Sequence, residues 1–225
     1  MSSIPKELFP FFIKLEKNNN RDWFQENKPH FKEIESRIKV FGENLKQALE
    51  LTEQVDRVKL FRVYRDVRFS KNKTPYKTHF GISFHRDKPR YRGGYYIHLK
   101  PNESFVAVGF WNPNKEDLLR IRKELELNSS EFRELMAQAD FKNTWGKLEG
   151  EEVKTAPKGF SKEDPNIDLI RKKMFIFSKK YNDKEVLSKD FLNQVTKDFI
   201  AVRPFLDYMS SVLTTDLNGV SLLEN

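Results

Sequence analysis

The sequence predicts an α+β fold, a mostly antiparallel central sheet flanked by helices, with a long amphipathic helix near the N-terminus and a helical C-terminus. Three observations predict it. Apolar residues recur at steps of three and four from Phe31 to Leu49 and again from Phe191 to Leu213, the period of helices buried along one face. From Val58 to Trp111 the period shifts towards two, as in strands with one covered side. Helical and extended stretches come in runs rather than strict alternation, which points away from a doubly wound parallel sheet.

Taken in order, a short apolar helix is expected near residues 8–17. Asp22, with Gln25 three residues on, reads as the N-cap of the next helix, and Pro29 is placed to start or kink it. The stripe Phe31, Ile34, Ile38, Phe41, Leu45 and Leu49 makes that helix long. Strands are expected near 58–64, 79–86, 93–99 and 104–111, the last two joined as a hairpin through Pro101-Asn102-Glu103. Helices follow over 115–127 and 129–138, then an irregular segment with Pro157-Lys158-Gly159, a helical turn after Asp164-Pro165, and a strand near 173–180. The last helix opens at Ser188, and its stripe runs through Pro204, which kinks it or splits it in two.

The length of 225 residues is expected to form one domain over residues 1–225, with a core over about 8–207. Twenty Phe, seven Tyr and three Trp supply that core, while the one third of residues that are charged require a wet exterior. No stretch approaches a membrane span, and the Phe9 to Ile13 cluster, broken by Pro10, is too short for a signal-peptide core. No membrane association and a cytoplasmic location are therefore expected. The chain has no cysteine, which excludes disulfides, thiol catalysis and thiolate zinc sites.

Charge is concentrated. Residues 57–100 hold thirteen Lys or Arg against Asp66 and Asp87, a surplus of eleven in a chain of net charge +8, so the remainder is slightly acidic. A local positive field of this kind steers phosphates, nucleic acid or acidic metabolites. Within it, residues 62–77 interleave three arginines and three lysines with aromatics.

Two segments carry a resemblance. Asn19-Asn20-Arg21-Asp22-Trp23-Phe24 with Asn27-Lys28, and later Pro157-Lys158-Gly159, accompany a gapless Arg-x-x-Arg-Asp-x-Arg-Phe-x-x-x-Lys-x-Pro-Tyr pattern on Arg62, Arg65, Asp66, Arg68, Phe69, Lys73, Pro75 and Tyr76. The sequence resembles the uncharacterised bacterial family called domain of unknown function 2461 over nearly its whole length. Phe31 stands where the family leads one to expect tyrosine, which costs at most a hydroxyl contact. The resemblance implies a bacterial protein and supplies no activity, substrate or cofactor.

Function must then come from residue chemistry. Arginine forks match phosphate or carboxylate and lysine adds compact charge, so Arg62, Arg65, Arg68, Lys73 and Lys77 are candidate ligand-binding residues. Tyr76 adds a stacking face or a hydroxyl, and Lys158, before a permissive glycine, could reach an anion. Arg21 and Trp23 could add contacts, although Trp23 and Phe24 read more simply as core anchors. Asp66 and His79 are the candidates for acid or base. His79, His98 and Asp66 would form a two-His, one-carboxylate metal set only in an assumed strand register, so no metal is assigned, and no cofactor is named. Walker, dinucleotide-glycine and Gly-x-Ser-x-Gly signatures are missing.

Three classes of function fit. The first is an anion-binding protein for a phosphate-bearing ligand, with nucleic acid leading because Tyr64, Phe69, Tyr76, Tyr91, Tyr95 and Tyr96 sit among the cations. The second is an enzyme acting on a small phosphorylated or carboxylated substrate, which calls for a pocket rather than an open groove. The third is a protein-interaction module in which the motif is structural, with Arg65 and Asp66 ion-paired to Asp22 or other acidic groups.

Overall fold

Two helices open the chain of the computed structural model, which describes residues 3–223. They are α1 (Leu8–Lys17) and the thirty-residue α2 (Arg21–Glu50). Asn20 caps α2 by accepting from the Trp23 N–H, so Asp22 is not the cap but lies in the first turn, where its charge still suits the positive helix end. Pro29 sits inside α2 and does not start it. The buried positions of α2 include every member of the stripe read from the sequence, together with Phe24 and Gly42. At Gly42 an added Cβ would lie 3.3 Å from the Val58 side chain and 3.6 Å from that of Ile82, so glycine lets the strands approach the helix.

One five-stranded antiparallel sheet follows the chain order β1-β2-β3-β4-β5. Its strands are β1 (Val55–Leu60), β2 (Phe80–Arg86), β3 (Gly94–Leu99), β4 (Ser104–Phe110) and β5 (Phe175–Tyr181). The first begins three residues earlier than expected, because Val55 is its most buried residue and the exposed Arg57 hides the alternation. Between β4 and β5 come α3 (Lys115–Leu127), α4 (Ser130–Ala137), α5 (Ala139–Trp145) and α6 (Ile167–Ile170). The expected helix at 129–138 is thus followed by a second one, whose seven residues are too few to show a period. After β5 come α7 (Asp183–Val186), α8 (Phe191–Ala201) and α9 (Arg203–Thr214). Pro204 at the start of α9 splits the final helical stretch, as its missing N–H requires. The expected opening at Ser188 falls three residues early, since α7 and a turn occupy that stretch.

The chain divides into two compact units. The first comprises the chain through Phe84 with Tyr96–Val106 and Lys180–Lys197. In its core Phe12 meets Phe80 edge to face at 5.2 Å, Phe31 stacks on Phe80 at 5.6 Å, and Phe191 lies between Phe41 and Tyr181. Phe31, the departure from the family pattern, is fully in this core.

The second unit comprises His85–Tyr95, Ala107–Lys179 and the residues from Asp198 onward. Phe132, Phe141, Phe177 and Phe205 meet edge to face at its centre. Gly109, at φ 131°, brings its backbone so close to Phe175 that a Cβ would overlap the carbonyl oxygen there, which only glycine allows. Arg86 is 1% exposed and donates to Asp207 and Ser210 and to the Arg92 carbonyl, while Arg92 itself pairs with Asp117. The buried Arg86 and the half-buried Arg92 are thus held by partners within the unit.

Among the described residues no helix is long and apolar enough to cross a membrane.

Candidate functional site: a cationic cleft

The link between β1 and β2 is a narrow antiparallel ribbon rather than a free loop. Phe61 N–H bonds the Gly81 carbonyl at 2.9 Å, Lys77 N–H bonds Val63 at 2.7 Å and Arg65 N–H bonds Pro75 at 2.9 Å, with Tyr64 and Tyr76 paired across it. Within it Val63 and Tyr76 are buried, Tyr64 is exposed, and Arg65 and Lys77 are half-buried.

Two residues anchor the ribbon. Asn19 donates its amide to the Tyr76 carbonyl at 3.0 Å and accepts the Tyr76 N–H at 3.1 Å, a two-way clamp between the α1–α2 turn and the motif. Phe24 stacks on the Tyr76 ring with centroids 3.9 Å apart. Tyr76 is 3% exposed, so its face is spent on core packing, and burial raises its hydroxyl pKa. Trp23 is half-buried against Phe11, while Arg21 is exposed.

A cleft of about 480 Å³ lies between ribbon and turn, lined by Arg65, Asp66, Tyr76, Lys77 and His79, with Glu16, Asn19 and Thr74 completing its wall. Arg65 donates to the Thr74 hydroxyl at 2.7 Å, and that hydroxyl is held by Asn72 at 2.8 Å, which fixes the guanidinium at the rim. Arg62, Arg65 and Lys77 have no carboxylate partner among the described residues, so the expected ion pairs to Asp22 do not form. Burial, and then the charges of Arg62 and Arg65, push the Lys77 ammonium below its ordinary pKa.

Asp66 pairs instead with its near neighbour Arg68. The two form a fork with bonds of 3.0 and 2.7 Å, and the carboxylate is held below its ordinary pKa first by that side chain and then by the Arg68 N–H. Both partners are exposed, so the pair adds little stability. At the ribbon tip Lys73 donates to the Val67 carbonyl at 3.0 Å, and Phe69 is 96% exposed with the Arg68 guanidinium 5.9 Å from its ring centre.

The assumed approach of His79 and His98 is found, with ring centroids 4.2 Å apart. His98 shares a 3.1 Å hydrogen bond between Nδ1 and the Tyr96 hydroxyl. Asp66 does not complete a metal set with them: among the described residues no group of three His, Asp or Glu could hold an ion. Burial first, then His98 and Lys77, push the His79 pKa down to about 4, and burial followed by Lys100 does the same for His98. Both rings are therefore neutral at pH 7.

That pair makes stability pH-dependent. Because the folded pKa values lie below the unfolded one, the unfolded chain binds more protons between the two, and stability is complete above about pH 6.5 and is lost as pH falls towards 4. The expected loss is about 2 kcal/mol for the pair after solvent screening, read as a denaturation midpoint falling over that window. A double variant His79→Gln with His98→Gln should flatten the profile.

Several residues singled out in the sequence do not join the cleft. Lys158 is exposed and belongs to the second unit, as do Tyr91 and Tyr95, the latter 1% exposed. Arg68 and Lys73 stand at the tip, outside the cleft wall. Sequence reasoning missed Thr74, and it named Asn19 and Tyr96 without their roles, the clamp on Tyr76 and the hydrogen bond with His98. Only the asparagine triplet before a helix hinted at the clamp.

Fold and site together define an α+β protein with a charged cleft, lined by Arg65 and Lys77 with Glu16 and Asp66, beside a clamped β-ribbon. A family profile described as "Conserved hypothetical protein (DUF2461)" matches residues 7–208, and the chain belongs to that family. No curated protein and no solved structure matches it.

Proposed function

We propose that the protein binds a phosphate-bearing ligand in the ribbon cleft, with single-stranded nucleic acid the leading ligand. One observation carries this reading: Arg65, Lys77 and His79 line one cleft, and although Glu16 and Asp66 also stand in its wall, neither Arg65 nor Lys77 has a carboxylate within ion-pair distance among the described residues. Like charges held close to one another cost stability, and an anion between them repays that cost. For nucleic acid the support is Phe69, almost wholly exposed beside cations, with Tyr64 45% exposed on the same ribbon. Aromatic faces among cations hold bases without regard to sequence. Tyr76 and Tyr95, counted among such faces in the sequence, are core residues and contribute none.

The test is fluorescence anisotropy of a labelled single-stranded oligonucleotide over a salt series. Arg65 and Lys77 with the tip lysines should give log affinity against log salt a slope of about −1.5 to −3. A flat dependence would remove the proposal.

One observation favours a second reading, an enzyme acting on a small phosphorylated or carboxylated substrate. His79 lies in the cleft wall as a neutral imidazole, able to accept a proton beside cations that stabilise developing charge. Turnover of a phosphate ester that is lost in His79→Gln, with binding kept, would establish it.

A further inference from the structure

We infer that the second unit carries a separate binding site for an organic monoanion with an apolar body, a medium-chain carboxylate being the simplest case. The site is a cavity of about 550 Å³ among α4, α5, α6 and the segment between α5 and α6. That volume lies in the range of small-molecule pockets.

Its charge is sorted by pairing. Two acids stand in the wall, and both are already neutralised. Asp168 is gripped by both terminal nitrogens of Arg133, at 2.7 and 3.3 Å, and Glu152 by Arg171 and Lys172, each at 3.0 Å. Lys142 and Lys147 also stand in the wall, and neither has a carboxylate partner among the described residues. The cavity therefore presents two uncompensated ammonium groups and no uncompensated acid, which selects anions over cations.

The remaining surface is apolar. Met136 and Leu148 are half-buried and Leu169 is 4% exposed, and all three line the same cavity. A flexible methionine beside two leucines accepts an alkyl body of unspecified shape. Inorganic phosphate would leave this surface uncovered, and a neutral alkane would leave both ammonium groups unanswered. Only a ligand with both parts uses the whole wall, which separates this site from the polar ribbon cleft.

The experiment is a calorimetric titration of the full chain with octanoate, 1-octanol and acetate. Octanoate is expected to bind saturably at one site, with each of the other two at least about tenfold weaker because each lacks one half of the recognition. Lys147→Glu and Lys142→Glu, both exposed and remote from the core, should each weaken octanoate about tenfold with unchanged melting temperature. Arg65→Ala should leave octanoate binding intact, which keeps this outcome distinct from any result at the ribbon cleft. Equal binding of octanol and octanoate, indifference of both lysine variants, or no saturable binding would each overturn the inference.

Discussion

Lys77→Met should weaken binding of a phosphate-bearing ligand by about tenfold to a hundredfold, the worth of one charge-assisted contact, while melting no lower than wild type. The two effects have one cause. Lys77 is half-buried beside Arg62 and Arg65 and is held below its ordinary pKa by burial and by those charges. Removing the ammonium relieves the fold of a repulsion that only a bound anion repays. Methionine keeps an unbranched stem while losing the ammonium that lies 5.8 Å from the Phe61 ring centre, and the Lys77 backbone bond to Val63 is untouched. If the motif served only to hold the ribbon, the opposite pattern would follow: a lower melting temperature and unaltered ligand binding. Melting curves with titrations of oligonucleotide and mononucleotide distinguish the two.

Phe24→Ala carries the largest expected stability loss near the site, about 3 to 5 kcal/mol. Phe24 is 1% exposed and meets three rings: Tyr76 at 3.9 Å, Phe31 at 5.2 Å and Tyr64 at 6.0 Å. Alanine would leave a cavity at the place where α2 supports the ribbon. Against a total stability of about 5 to 15 kcal/mol, the denaturant midpoint should fall steeply with an unchanged slope. Phe24→Leu should lose much less, because it fills most of the volume without the stack. Ligand affinity should fall in the alanine variant even where it stays folded, since the Tyr76 backbone held by Asn19 sets the ribbon beside the cleft.

The fold was legible where side chains repeat. The α2 stripe and, in part, strands β2 and β3 show their periods, whereas β4 buries five consecutive residues from Val106 to Phe110 and reads as a continuous apolar run. Boundaries failed where short-range chemistry competes with the period. Asn20 and Asp22 are both good capping residues two positions apart, and only the backbone turn at Asn20 decides between them. The seven-residue α5 and four-residue α7 are too short to carry a period at all.

For the site, the density of arginine and lysine in residues 62–77 pointed to the ribbon that lines the cleft, but not to the division between its cleft and its tip. That division follows from the ribbon's pairing and its packing on α2, which bury Tyr76 and leave Phe69 at the tip, and neither can be read when both faces of a ribbon carry charge. Asn19 lies 57 residues from Tyr76, a distance over which one sequence records no pairing. The meeting of His79 and His98 was deducible only by assuming the register of β2 with β3, and that register is the one found.

The most direct measurement is the imidazole NMR signal of His79 followed through a pH titration, with and without saturating pyrophosphate. With an anion seated between Arg65, Lys77 and His79, the His79 pKa should rise above about 4, because burial is the first cause of its depression but the bound charge offsets the further part due to Lys77 and Arg65. Fast proton uptake on binding should accompany that rise at mildly acidic pH. A His79 titration that is the same with and without pyrophosphate would contradict the cleft as the place where phosphate is held.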